Sequence, residues 1–347
     1  MPNSDKNIPI FVSGASGYIA SWIIKYLLID GYKVHGTVRS LNDTKKIEHL
    51  LKFQTTYPGQ LNLFEADLLS PGSFDTAIDG CEIVIHTASP FFVTGISDPQ
   101  KELIDPAVKG TENILNSCNK FSSVKRVVLT SSVAAVMGDN IDAQKSKDSI
   151  LDESYWNQTS NLSHQPYSYS KKIAEEIAWK IASEQSRWDL VTINPSFVLG
   201  PSLSSRMDGT SVQFVRRLIS GELKMGVPNL YFAVVDVRDV AQAHLLAALE
   251  NKSKGRYILS NTTKSMLELC QIIEKIYPNK YPTGSFALPN FLMYVAGPIL
   301  GLNWEFLNKN LGISFGFNHS RSLELGIKYT DLELTLKDHV EQLNKLK

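Results

Sequence analysis

Short apolar runs alternate with longer amphipathic segments over the first part of the chain. The runs Ile8–Val12, Lys33–Val38, Leu61–Ala66, Ile83–His86, Arg126–Thr130 and Leu190–Asn194 read as strands. Several are almost wholly apolar, as strands covered on both faces are. Helical spacing of apolar positions lies between them, at Ile19–Asp30, Thr44–Phe53, Pro106–Lys120 and Ser168–Ser186. This alternation predicts an α/β fold, a doubly wound parallel sheet with right-handed crossovers and helices on both faces. After Asn194 the pattern loosens into helical stretches at 211–220, 239–249, 265–276 and 331–345 among Gly/Pro turns. One short strand, Gly255–Ser260, is expected to return to the main sheet. The pattern divides the chain into a ligand-binding sheet domain over 1–194, with returning segments near 229–260, and a smaller, mostly helical substrate lobe over 195–347.

Charge adds little to this picture. The 347 residues hold 35 basic and 35 acidic side chains, so no field attracts nucleic acid or an anionic membrane. Three dispersed cysteines, Cys81, Cys118 and Cys270, form no metal-ligand spacing and suggest no disulfide framework. The polar start, MPNSDKN, lacks an apolar signal region, and a cytoplasmic protein is expected. Residues 285–304 are the most apolar stretch, but Pro289, Asn290 and Pro298 interrupt it. No integral membrane span is expected there. Buried helices of the second lobe are the preferred reading, and peripheral membrane contact the alternative.

The first strand runs into GASGYIA. A glycine-rich turn between strand and helix lets backbone approach a pyrophosphate, and the helix start offers free N–H groups. Gly14, Ser16, Gly17, Tyr18 and Ile19 are therefore candidate dinucleotide contacts, although the glycine spacing is GxxG rather than GxGxxG. The second strand ends with Arg39, and no acid lies between Lys33 and Asn42. A guanidinium suits a 2′-phosphate, which points to NADP(H), while Asp43 argues mildly the other way. After the third strand, Asp67 and Leu68 could meet the adenine, or Asp67 could cap the next helix. After the fourth comes His86-Thr87-Ala88-Ser89-Pro90, a small-residue turn at the cofactor edge. His86 reads better as a packed strand-end residue than as an acid or base.

The fifth strand ends in Thr130-Ser131-Ser132, hydroxyls directed toward the cleft. Downstream, HQPYSYSKKIAEE reads as a helix start with Pro166 in its first turn. Tyr167 and Lys171 share one face of that helix, and Tyr169 and Lys172 share another. Either pair could form a proton donor, because a nearby ammonium favours the phenolate and lowers the phenol's pKa. A serine opposite would polarise a carbonyl oxygen. Spacing alone leaves both pairs open.

Taken together, GASGYIA (14–20), TVRS (37–40), HTASP (86–90), KGTENIL (109–115), RVVLTSS (126–132), YSYSKKIAE (167–175), NPSFVLGP (194–201) and VDVRDVAQAH (235–244) are highly specific. They resemble the extended short-chain dehydrogenases/reductases of the NAD-dependent epimerase/dehydratase superfamily. The branch is that of dihydroflavonol reductases, cinnamoyl-CoA reductases and yeast methylglyoxal (carbonyl) reductases. The resemblance covers about residues 8–275 and implies a Rossmann-type fold. It assigns the catalytic set to Ser132, Tyr167 and Lys171, with Lys171 also holding the nicotinamide ribose. It further implies that Pro195, Ser196, Phe197 and Val198 cradle the carboxamide and that Ser211 reaches a cofactor phosphate. Thr87, Ala88 and Ser89 would line the cofactor on its other side, with Thr130 beside them. Asn113 matches a recurrent asparagine, as either a helix-packing residue or a proton relay. Segments 137–166, 200–212 and 221–232 are individual to this chain, and Phe91, Phe92 and Val93 are a candidate apolar wall.

The expected activity is NADPH-dependent reduction of a small-molecule aldehyde or ketone, reversible as an alcohol dehydrogenase, by a monomer or homodimer. The alternatives are an NAD-dependent nucleotide-sugar epimerase or dehydratase, a 3β-hydroxysteroid dehydrogenase-like enzyme, and a non-catalytic NADP(H)-sensing regulator.

Overall fold

A computed structural model describes residues 5–89, 97–298 and 301–345. In chain order, the first part comprises β1 (Ile10–Val12), α1 (Tyr18–Ile29), β2 (Val34–Val38), α2 (Thr44–Thr56), β3 (Leu61–Glu65), α3 (Asp75–Ile78), β4 (Ile83–His86), α4 (Asp105–Lys120) and β5 (Arg126–Thr130). Next come β6 (Ile150–Leu151), α5 (Pro166–Ser183), β7 (Asp189–Pro195), β8 (Phe197–Leu199), α6 (Thr210–Ile219), β9 (Tyr231–Asp236), α7 (Val237–Leu249), β10 (Gly255–Leu259), β11 (Thr262–Ser265) and α8 (Met266–Ile276). The chain closes with α9 (Asn290–Ala296), α10 (Trp304–Asn310), β12 (Gly316–Phe317), α11 (Ser320–Leu325) and α12 (Leu332–Lys345).

Seven strands form a parallel sheet in the order β10-β7-β5-β4-β1-β2-β3. This is a Rossmann-type α/β fold. The central strands β4 and β5 are buried at every residue, which accounts for their near-continuous apolar sequence. Helices α1 and α7 cover one face, through Ile23, Leu27, Val240 and Leu245. Helix α4 contributes Ile114 and Cys118 to the other, beside Ala178 of α5. The strand order reverses between β1 and β4, and an open α/β sheet binds ligands in the crevice at such a switch point.

Strand β10 returns to the edge beside β7. A second, three-stranded sheet, β11-β9-β8, supports α6, α8 and α12. Its middle strand β9 has no counterpart among the strands read from sequence. It straddles the end of the individual 221–232 segment and the start of the VDVRDVAQAH motif, and its pairing comes from β8 and β11, which are distant in sequence. Helix α4 starts at Asp105 and is preceded by a π-helical turn, Gln100–Ile104. Among the described residues, no helix is long and apolar enough to cross a membrane. The apolar 285–304 segment differs from the buried helices expected of it: α9 buries Met293 but leaves Phe291 and Val295 exposed, and Trp304 at the start of α10 is exposed too. Phe91, Phe92 and Val93 lie outside the described residues, as does Pro90.

Candidate active site

The turn after β1 is shaped for close approach. Gly14 has φ +64°, and a Cβ placed there would sit 3.1 Å from Ala88. Gly17, next to Ser16, occupies the N-cap of α1, and no side chain among the described residues caps its first N–H groups. Tyr18 and Ile19 pack toward the core. Ser13, which no motif singled out, anchors the facing turn. Its hydroxyl accepts from the backbone N–H of Thr87 and of Ala88, both at 3.0 Å, and meets His86 Nδ1 at 2.9 Å. The Thr87 hydroxyl donates to the Ser13 carbonyl, and Ser89 is half-buried beside the turn. Burial lowers the His86 imidazole to about 3, with Lys171 adding to the effect, so His86 is a neutral packed residue.

At the end of β2, Arg39 is exposed and forms no ion pair among the described residues. Asp43 is engaged elsewhere: it caps α2 by accepting from the Lys46 N–H at 3.4 Å and pairs with the Lys46 ammonium at 2.6 Å. Asp67 accepts from the Leu69 N–H at 2.7 Å with one carboxylate oxygen, and Leu68 packs under Gly110. Asn113 donates to the Leu68 and Ser70 carbonyls and accepts from the Gly72 N–H, a packing role that pins this loop to α4.

Beyond β5, neighbouring hydroxyls diverge. The Thr130 hydroxyl faces α7 and meets His244 Nε2 at 2.7 Å. His244 Nδ1 lies 2.7 Å from the Val240 carbonyl, which can only accept, so Nδ1 carries the proton and Thr130 donates. That leaves the backbone of Thr130, not its hydroxyl, for the cleft. Ser131 faces α5. Ser132 is hydrogen-bonded to Tyr167, and the Ser132 hydroxyl also accepts from the Ala134 N–H at 3.1 Å. Lys171 follows Tyr167 by one turn of α5, is 7 % exposed and has no hydrogen bond or ion pair among the described residues.

Two shifts define the electrostatics. Burial raises the Tyr167 phenol well above its usual range, with the Ser132 hydrogen bond pulling the other way. This differs from the expectation of a phenol lowered by Lys171: loss of hydration dominates, and the pull that opposes it comes from Ser132. The phenol is consequently protonated at neutral pH, as a proton donor must be. Burial also lowers the Lys171 ammonium to about 8, against an upward pull from Glu175. Tyr169 and Lys172 lie elsewhere: Lys172 pairs with Glu176 at 3.8 Å on the outer side of α5.

Pro195 ends β7, and Ser196 is 6 % exposed with a hydroxyl that has no partner among the described residues. Val198 packs on the main core, whereas the Phe197 ring joins Phe214 and Phe232 at 4.9 and 6.1 Å. Ser211 sits buried in the first turn of α6. An apolar cavity of about 220 Å³ adjoins Ser132 and Tyr167 through Val133, Ala134, Gln165 and Ser168. Phe232, Phe306, Phe315 and Phe317 line its far side. Sequence carried no signal for this wall, because its members come from three separate stretches of chain.

Among the described residues, a buried hydroxyl at Ser196 without a partner, an unpaired ammonium at Lys171, an uncapped helix start and a glycine cradle fit a dinucleotide with a ribose and carboxamide to bind. Fold and crevice together define a Rossmann-type oxidoreductase. The model of the NAD dependent epimerase/dehydratase family matches residues 10–260, and the chain belongs to that family. Cinnamoyl-CoA reductase CAD2 of Medicago truncatula is 40% identical over 356 residues, spanning 100% of this chain and 99% of the relative. Tetraketide alpha-pyrone reductase 1 of Arabidopsis thaliana is 37% identical, over 96% of this chain and 94% of its own. The solved structure of yeast methylglyoxal/isovaleraldehyde reductase Gre2 complexed with NADPH superposes with a TM-score of 0.79 at 30% identity, covering 97% of this chain and 98% of that one. The chain is thus a reductase-type member of its family.

Proposed function

We propose that this protein is an NADPH-dependent reductase of aldehydes or ketones, reversible as an alcohol dehydrogenase acting on CH–OH groups. The observation that carries this reading is the Ser132–Tyr167 hydrogen bond at the carboxyl edge of β5, with the Lys171 ammonium one helical turn away. Bound NADPH supplies a hydride to the carbonyl carbon. Tyr167 gives its phenolic proton to the carbonyl oxygen, so carbon and oxygen each gain one hydrogen. Ser132 orients that oxygen and stabilises the charge that develops on it. Lys171 holds the ribose hydroxyls and favours the phenolate left on Tyr167.

Gly14, Ser16, Gly17, Tyr18 and Ile19 hold the pyrophosphate, and Arg39 holds the 2′-phosphate. Asp67 and Leu68 meet the adenine. Thr87, Ala88, Ser89 and Thr130 line one side of the nicotinamide half, Pro195 to Val198 the other, and Ser211 reaches a phosphate. Residues 1–194, with returning segments near 229–260, form the cofactor domain, and 195–347 mainly the substrate lobe of a cytoplasmic enzyme. The cavity lining includes no charged side chain among the described residues, which favours a neutral substrate end. A cavity of ~150 Å³ holds a benzene ring, so about 220 Å³ admits one ring with a short chain.

The test is Tyr167→Phe, assayed by NADPH oxidation against a panel of aldehydes, diketones, ketoesters, flavanonols and steroid ketones. Loss of a general acid lowers kcat by about 10²–10⁴-fold, with NADPH binding retained. A variant that keeps most of its carbonyl reduction overturns the reading.

A further inference from the structure

Glu175 lies one turn beyond Lys171 on α5 and is 0 % exposed. Its carboxylate accepts hydrogen bonds from three adjacent strands. Ser131 Oγ of β5's extension donates at 2.5 Å, Asn194 Nδ2 of β7 at 2.7 Å and Arg256 Nε of β10 at 2.7 Å, while the single Thr192 hydroxyl proton of β7 is shared between Glu175 at 3.2 Å and the Asn194 amide oxygen at 3.1 Å. Trp179 Nε1 adds a fifth at 3.2 Å. The Asn194 amide nitrogen also donates to the Ser132 backbone carbonyl at 3.1 Å. One buried carboxylate therefore grips the residue before Ser132 directly and Ser132 itself through Asn194.

A buried ion pair is weak grounds for stability, because desolvating both ions offsets their attraction. The arginine here is not ideally satisfied. Arg256 Nη1 donates to the Glu153 and Tyr155 carbonyls, both at 2.7 Å, and its guanidinium lies 4.0 Å from the Trp156 ring, but Nη2 is buried without a partner among the described residues. What the arrangement does secure is the relative placement of β5, β7 and α5, the three elements that present Ser132, the carboxamide-side turn and the Tyr167–Lys171 face.

Lys171 has few charged neighbours. Tyr167 and Glu175 share its helix, and His86 of β4, held neutral, faces it across a narrow cleft. From α4 the cleft receives only Ala107 and Thr111. Arg256 stands behind Glu175. Among the described residues, Glu175 is the only carboxylate that lines this cleft.

We propose that Glu175 is a positioning residue for the reaction: through Ser131 and Asn194 it fixes where Ser132 stands, and it provides the negative charge that holds Lys171 as an ammonium. This rests on the reductase reading above for its catalytic consequence, but not for its structural one.

The experiment follows the lysine itself. Protein carrying ¹³C/¹⁵N-labelled lysine is titrated by NMR without cofactor, with Lys171→Met identifying the signal. In the unaltered protein Lys171 titrates near 8. Glu175→Gln removes the opposing charge and lowers that midpoint by about one pH unit. Because this variant leaves a buried guanidinium unpaired and can fail to fold, Glu175→Gln with Arg256→Met removes both charges; a downward shift is again expected, smaller than in the single variant because the repelling guanidinium goes with the carboxylate. In activity, the alkaline limb of the kcat profile moves to lower pH with the lysine. A Lys171 midpoint unchanged in the folded variants overturns the proposal, since a merely structural carboxylate would not move it. Unaltered protein whose Lys171 responds as expected, yet which oxidises no NADPH with any carbonyl, sinks the reductase reading and leaves the placement of Glu175 standing.

Discussion

The Tyr18 hydroxyl donates to the Gly200 carbonyl at 2.6 Å, joining residues 182 positions apart. Tyr18 opens the helix that follows the glycine turn, and Gly200 opens the loop that follows β8. Trp22 on the next turn of α1 repeats the link, donating to the Pro201 carbonyl at 2.8 Å. Helix α1 is in this way latched to the start of the 200–209 loop. Tyr18→Phe leaves the Gly200 carbonyl unpaired and should cost about 1–3 kcal/mol of stability. Urea unfolding measures the loss, and limited proteolysis should cut within 202–209 faster than in the unaltered protein. Unchanged cleavage would show that Trp22 alone suffices as the latch.

Arg39 stands exposed at the tip of β2 while Asp43 is occupied with Lys46. A charge-assisted hydrogen bond is worth about 1.5–3 kcal/mol. Arg39→Gln should therefore lower kcat/KM for NADPH by roughly 10–100-fold while leaving NADH almost untouched. Equal losses with both cofactors would remove Arg39 from the 2′-phosphate site.

Lys171 carries a built-in cost. Its ammonium is lowered by burial to about 8 from a reference of 10.5. Between those values the unfolded chain binds the proton and the native chain does not. Stability therefore rises as pH climbs through this window, and below it the full penalty applies. At pH 7, Lys171→Met should stabilise the cofactor-free protein by about 3 kcal/mol while abolishing carbonyl reduction. A Met variant less stable than the parent in urea at pH 7 would show that the ammonium is better solvated than its surroundings indicate.

Four of the five histidines buried among the described residues set the acid side. Burial lowers His86 to about 3 and His49, His244 and His339 to about 4, against 6.5 for the free side chain. As pH falls below 6.5 the unfolded chain takes up protons that the native chain refuses. Stability should fall with pH from that point to about 4, each histidine contributing up to ~1.4 kcal/mol per pH unit. Urea midpoints at pH 7, 6 and 5 check this, and a flat series would contradict it.

Much of this protein was legible in its sequence because the relevant physics is local. Alternation of apolar strands with amphipathic helices follows from backbone periodicity, and it disclosed the parallel sheet and the return of Gly255–Leu259 to its edge. The glycine turn and the Tyr/Lys spacing are likewise local geometry. Strand β9, the aromatic wall of Phe306, Phe315 and Phe317, and the Ser13 anchor were not legible, because each is defined by partners distant in sequence. Glu175 is the sharpest case: it stood in the sequence as one acid trailing a helix motif, while Ser131 and Arg256, which give it meaning, lie 44 and 81 residues away.

The sequence by itself determined that two tyrosine–lysine pairs lie on faces of one helix, since a rise of four or three residues per turn is set by covalent geometry. The motif resemblance favoured Tyr167 and Lys171, but only the tertiary structure shows that their face turns inward and what holds it there. Packing of α5 against the sheet brings Tyr167 to Ser132 and buries Lys171, and the same rotation sends Lys172 out to Glu176. The buried apolar and hydrogen-bonded face of α5, with Ala174, Glu175 and Ala178 on it, fixes that rotation, because turning the helix would expose the alanines and strand a buried carboxylate without its donors.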